Sequence, residues 1–146
     1  MILPILIYPN EVLRQKAEKI KDPKSAEIQD LVFDMLQTME ENGNALGLAA
    51  PQVGKSVQLC IIKLEGKTHI LINPKITSRS WKKEIMEEGC LSFPGKFIPI
   101  KRNKKVKIKA LDKNGNRIII SAEELLARAF QHEIDHLNGV LFIDRK

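Results

Sequence analysis

No run of about eighteen apolar residues occurs in the chain, so no segment is long enough to cross a bilayer as a helix. The apolar opening, residues 1–9, has no basic lead-in and no small-residue cleavage site, so it does not read as a secretory leader. Cysteine is scarce. Cys60 and Cys90 permit one disulfide at most, and a free thiol or a metal ligand is the better expectation in a chain of this size. Together these absences predict a cytoplasmic protein. Aromatic residues are only 5%, and none interleaves with the lysines from position 101 onward. Repeats, low-complexity segments and linkers are also missing. With 146 residues, 43% of them hydrophobic and 29% charged, residues 1–146 read as one globular domain.

Basic charge is concentrated. Residues 96–117 hold nine Lys/Arg and one Asp, whereas the whole chain carries +6. Such a stretch suits RNA or another polyanion. The plainer expectation is a solvated strand face whose lysines guard a sheet edge.

Helix and strand signals alternate along the chain. Asn10 can cap a short helix over 11–17, and Asp22-Pro23 has the form of a helix start. Ile28, Leu31, Val32, Met35, Leu36 and Met39 then repeat at helical spacing up to Asn42-Gly43. Short strands are expected at 57–63, 68–73 and 76–81, with Pro74 as a break, and residues 87–95 read as a loop. Val106, Ile108 and Ala110 alternate with Lys105, Lys107 and Lys109, and Asn114-Gly115 turns that strand into a hairpin. Ser121-Ala-Glu-Glu124 has the pattern of a capping box opening a last helix. The fold class is α+β: antiparallel or mixed strands packed around a buried C-terminal helix, with helices near the N-terminus.

That last helix carries the chemistry. In Gln131-His132-Glu133-Ile134-Asp135-His136 the two histidines lie four apart, on one face of the helix. Leu125 and Ala129 continue the same face, so the imidazoles point inward. A buried histidine pair needs hydrogen-bond partners or a metal. A catalytic metal needs a third protein ligand and an open position. His69 has no clear inward role, and Asp135 is expected on the opposite side of the helix, which leaves Cys90 as the better candidate. A thiolate with two imidazoles suits Zn²⁺, Fe²⁺, Co²⁺ or Ni²⁺. Glu133, beside a ligand but not itself one, is placed to move a proton, and Gln52 and a backbone N–H in Gly89-Cys90-Leu91 can hold a developing oxyanion. From the residues alone the reading is metal-assisted amide hydrolysis.

Three segments, Gly47-Leu48-Ala49-Ala50-Pro51-Gln52, Glu88-Gly89-Cys90-Leu91-Ser92 and Gln131 to His136, together resemble the three signature motifs of peptide deformylases, in order and at similar spacing. The resemblance implies removal of the formyl group from formylmethionyl peptides or nascent chains, with release of formate. It implies that Cys90, His132 and His136 bind one divalent ion, ferrous iron natively, with zinc, nickel or cobalt as substitutes. It assigns Glu133 as general acid and base, Gln52 and the Leu91 N–H to the formyl oxygen, and the Gly47 backbone to the extended substrate. Leu46, Met86, Leu125 and Ala129 are expected to line a pocket for the methionine side chain, and Glu88, grouped with them, is expected to pair with Arg102 and steady the cysteine segment. Ala45 stands where the family's first motif has glycine, and its methyl would crowd the turn if that position needs positive φ. Ten residues follow His136, where bacterial relatives carry a longer, ribosome-docking extension, so the basic stretch 96–117 is the expected source of weak ribosome association by a monomer. A His-Glu-x-x-His endopeptidase would take its third ligand downstream, where little chain is left. A structural metal in an RNA-binding module would have no use for Glu133.

Overall fold

The computed structural model describes residues 1–146. Two helices enclose one half of an antiparallel sheet, and a separate hairpin hangs beside it. After a 3₁₀ turn at Glu11–Arg14 come α1 (Ala26–Glu41), β1 (Gly47–Ala49), a 3₁₀ turn at Ala50–Val53, β2 (Leu59–Leu64) and β3 (Lys67–Arg79). Then follow β4 (Lys83–Cys90), β5 (Phe93–Asn103), β6 (Lys105–Leu111), β7 (Arg117–Glu123), α2 (Glu124–Leu137) and a 3₁₀ turn at Phe142–Arg145. The main sheet has the order β1-β2-β3-β6-β7, and β4 pairs only with β5.

Period-two alternation on β2 decides the layering. Leu59 and Ile61 face α1, where they meet Met35 and Met39. Cys60 and Ile62 face α2, where they meet Phe130 and Ile134. The α1 layer covers β1 to β3 and reaches β6 at Leu111. Val106, Ile108 and Ala110 of β6 therefore pack on α2 while Lys105, Lys107 and Lys109 face water. Since β6 lies between β3 and β7, these lysines occupy an open sheet face and guard no edge, contrary to the sequence expectation.

Several local expectations are also corrected. Asn10 does cap, accepting from the Val12 N–H at 3.0 Å, but the helix is a single 3₁₀ turn. The cap of α1 is Ser25, whose hydroxyl accepts from the Ile28 N–H at 3.3 Å, while Asp22 closes a preceding turn on the Lys24 N–H. Pro74 does not divide β3. It sits in a bulge where register shifts between Ile72 and Lys75, so its missing donor costs no ladder bond. Asn73, at φ 51°, ties that bulge to the Ile20 backbone through both ends of its amide. Ser121 is no cap: it pairs with Lys107 inside β7, and the chain enters α2 through Glu124 at φ 56°.

The stretch read as a loop is the β4–β5 hairpin, turned at Leu91-Ser92. Ile98, Ile100 and Arg102 face inward from β5 and Glu88 from β4, and the buried charge at Glu88, inside the stretch read as a loop, hid the strand. Ala45 is accommodated, because the positive φ values fall on Gly43 and Asn44.

Candidate metal centre

The hairpin brings Cys90 at the end of β4 against α2. Donor atoms of Cys90, His132 and His136 all lie within 4.8 Å of one another. Cys90 Sγ is 3.4 Å from His136 Nε2, and both rings are buried. The Glu88 carboxylate lies 2.9 Å from His132 Nδ1. A carboxylate can only accept, so Nδ1 carries a proton and Nε2 is the nitrogen left for a ligand role. Burial opposes charge on His132, but hydrogen bonds with Cys90 and Glu88 and the charge of Glu133 outweigh it and raise the metal-free imidazole to about 10. Burial and the neighbouring His132 charge instead push His136 well below the usual histidine range. His69 plays no part; it packs edge-on to Phe130, with ring centroids 5.4 Å apart.

Behind the ligands lies a buried ion network. Arg102 clasps Glu88 with two bonds of 2.8 and 2.9 Å and reaches Asp135 at 2.7 Å. Arg128 donates to the same Glu88 carboxylate and to the carbonyls of Ile100 and Glu84. Burial alone would raise the Glu88 pKa; the Arg102 and His132 contacts overcome it and hold the carboxyl well below its usual range. Both Glu88 oxygens are thus engaged, one of them by His132, and Glu88 also borders the adjoining cavity. Asp135 is not opposite the ligands. Three residues from His132 on α2, it stands about 60° round the helix and receives Arg102 and Arg145. Asp135 and Arg128 are the functional neighbours the sequence reading missed; an acid and a base among inward-facing residues of α2 were the available signal.

Two buried side-chain atoms have no hydrogen-bond partner, Glu133 Oε1 and His136 Nδ1, and both are in this site. Burial raises the Glu133 pKa to about 7, although the charge of His132 opposes the shift. Gly47 makes room for it: a Cβ there would stand 2.5 Å from Glu133 Oε2. The Gln52 Oε1 accepts from the Ala49 N–H at 2.9 Å, which aims Nε2 at Ser92 Oγ (3.2 Å) and Cys90 Sγ (3.5 Å). The Leu91 N–H has no acceptor within the chain. A cavity of about 600 Å³ opens onto these groups, lined by Leu46, Gly47, Leu125 and Ala129 as expected, and by Leu91 and Phe97 in addition. Met86 does not line it; it is half-exposed on β4 opposite Ile100.

A soft thiol and two imidazoles converging in a buried pocket, beside an unpartnered carboxylate oxygen, form a donor set suited to a borderline divalent ion and unsuited to Mg²⁺ or Ca²⁺. The family model for polypeptide deformylase matches residues 2–146. The chain belongs to the peptide deformylase family. It is 48% identical to peptide deformylase 1 of Clostridium perfringens, covering 94% of this chain and 92% of that one. Its fold superposes on the crystal structure of the Thermotoga maritima peptide deformylase with a TM-score of 0.95 at 37% identity, covering 99% and 97% of the two chains. It matches the Met-Ala-Ser-bound class I type b deformylase of Acinetobacter baumannii at 0.96 and 32% identity, covering 100% and 99%. Peptide deformylases are metal-dependent hydrolases that remove the formyl group from the N-formylmethionine of nascent peptides, and this chain is one of them. No helix of the structure is long and apolar enough to cross a membrane.

Proposed function

We propose that residues 1–146 act as one catalytic domain that hydrolyses the formyl amide of formylmethionyl peptides, with Cys90, His132 and His136 holding a single ferrous ion for which zinc, nickel or cobalt can substitute. The observation that carries this reading is the convergence of three donors within 4.8 Å beside the unpartnered Glu133 oxygen. The bound ion would supply Lewis acidity to the formyl carbonyl and to a water. Glu133 takes a proton from the attacking water as its oxygen bonds to the formyl carbon, then delivers that proton to the departing amine nitrogen, so formate and a free N-terminus result. Gln52 Nε2 and the Leu91 N–H donate to the formyl oxygen as it gains charge. Glu88 keeps His132 in one tautomer and one orientation.

Substrate binding follows from an open edge. β1 has a partner on one side only. The Leu46 carbonyl accepts from Lys63 on the β2 side, so strand alternation turns the Gly47 N–H and C=O outward, where an extended peptide can pair. The methionine side chain then enters the cavity between Leu46, Leu125 and Ala129. Two free thiols suit a reducing cytoplasm. The enzyme works as a monomer that meets the ribosome weakly through the basic stretch 96–117.

The deciding assay is release of free amine from formyl-Met-Ala, run anaerobically with Fe²⁺ and separately with Ni²⁺. Turnover is expected in both, with loss of about a hundredfold or more in Glu133→Gln at unchanged metal content. Full activity in that variant would overturn the assignment.

A further inference from the structure

The one tryptophan of the chain, Trp81, is 100% exposed, and it is not on a loose loop. Its turn is fastened to the turn between β5 and β6. Ser80 N–H donates to the Lys105 carbonyl at 2.9 Å, Lys104 N–H to the Lys82 carbonyl at 2.9 Å, and Asn103 Nδ2 to the Ser80 carbonyl at 2.8 Å. The indole is therefore carried on a fastened turn and presented wholly to water, at an energetic cost that a bound partner would remove. Exposed Lys82 and Lys83 follow it in sequence.

The same corner begins a basic track. The open face of the sheet carries Lys105 and Lys107, then Lys75, Lys109 and Arg117, all exposed. Its acids are few: Glu123 stands 3.5 Å from Lys105 Nζ, and Glu124 stands 3.5 Å from Lys104 Nζ at the rim. None of these residues lines the catalytic cavity, and six residues of strand separate Lys83 from Cys90, roughly 20 Å.

We infer that this face binds single-stranded RNA, with Trp81 stacking on an unpaired base and the flanking lysines and arginines following the phosphates. Stacking on an aromatic side chain beside a cationic groove is how sequence-tolerant single-strand binders work. A duplex offers no unstacked base to the indole. Membrane insertion needs a contiguous apolar patch; exposed Ile119 lies opposite Lys109 on the open face, and exposed Ile85 lies opposite Lys101 on the separate hairpin, each beside a lysine. The substrate of the family is a chain emerging from an RNA machine, so the inference deepens the ribosome reading above and names the chemistry of the contact.

Because Trp81 is the sole tryptophan, its fluorescence reports on this site alone. The metal-loaded full chain is titrated with oligouridylate and oligoadenylate of about ten nucleotides. Saturable quenching is expected, with affinity falling about tenfold to a hundredfold between 50 and 200 mM salt. Trp81→Ala should weaken binding of fluorescently labelled RNA about tenfold, Trp81→Phe should restore most of it, and both should deformylate formyl-Met-Ala at the parent rate. Absent quenching, equal quenching by an RNA duplex, unchanged RNA binding by Trp81→Ala, or a blue shift seen only with phosphatidylglycerol vesicles would each overturn it. Ribosome co-sedimentation separates the two readings: sedimentation without quenching sinks the stacking site alone, and quenching without sedimentation sinks the ribosome reading alone.

Discussion

Gly47 has no side chain because Glu133 occupies the space one would fill. An added methyl meets the far end of a flexible carboxylate, which can swing away, so Gly47→Ala should fold normally. What moves is the proton carrier. A kcat/KM loss of about a hundredfold with an unchanged melting temperature is expected; a variant of parent activity would show that Glu133 need not sit there. On the proposed mechanism, ionisation of the same carboxylate should set the acid limb of the pH profile. Burial raises it to about 7 in the metal-free chain, and a bound cation can only favour its charged form. A base must be deprotonated to work, so kcat/KM should decline as pH falls through a value at or below 7. A profile that rises toward acid would contradict the role. Thiol chemistry offers a third check at this scale. Cys60 is fully buried, and burial raises its pKa well above the usual thiol range, whereas Cys90 borders the cavity. Native chain stripped of metal should expose one reactive thiol to a disulfide reagent, and metal-loaded chain none.

Between elements, the decisive joint is that of the β4–β5 hairpin with α2. Glu88 and Arg102 belong to the hairpin; Arg128, His132 and Asp135 belong to the helix. Gln131 adds a two-way clasp, accepting from the Asn103 N–H at 3.1 Å and donating to its carbonyl at 2.8 Å. Glu88→Ala would take from two buried guanidinium groups the carboxylate they share, leaving Arg102 only Asp135 and Arg128 only backbone carbonyls, at a cost of about 3–5 kcal/mol, and free the His132 ring. Metal affinity should fall about tenfold to a hundredfold, read by competition with a chelator. Native affinity in a folded variant would reduce Glu88 to scaffolding.

How much of this was legible follows from the type of signal. The α1 stripe, the β6–β7 hairpin and the inward histidines were readable because periodic apolar residues report burial directly. The hairpin that supplies Cys90 was not, because its inward residues include Glu88 and Arg102, charges that become buried only by pairing with each other and with α2. Caps were misjudged for a related reason: Ser121 has the right neighbours for a cap, but pairing across the sheet claimed its backbone first. Membership of Cys90, His132 and His136 in one site was expected from chemistry, while Asp135 was placed on the wrong side of α2 and Arg128 was passed over, because a buried charge on a helix reads as a solvated one until its partners are known.

At the scale of the whole molecule, the tail closes the core behind the site. Leu141 and Phe142 are buried, and Phe142 meets Phe93 edge-on at 4.9 Å. Gly139 lets the chain turn back. It has φ 73°, and a Cβ there would lie 2.5 Å from the Arg14 carbonyl oxygen, which is backbone and cannot step aside. Gly139→Ala should therefore lower the melting temperature by several degrees, in contrast to Gly47→Ala. Sheet order has a further outcome. Cys90 comes from the two-stranded sheet and His132 from α2, 42 positions further along the chain. An ion held by both makes a closed ring of β5, β6, β7 and most of α2. By the loop-closure relation for a cross-link of that span, the unfolded chain would lose entropy worth about 4 kcal/mol if the bridge persisted in it. Ligation confined to the native state stabilises it by mass action. Chelation should thus lower the melting temperature by about ten degrees, and the ion is a mechanical clasp as much as a reagent.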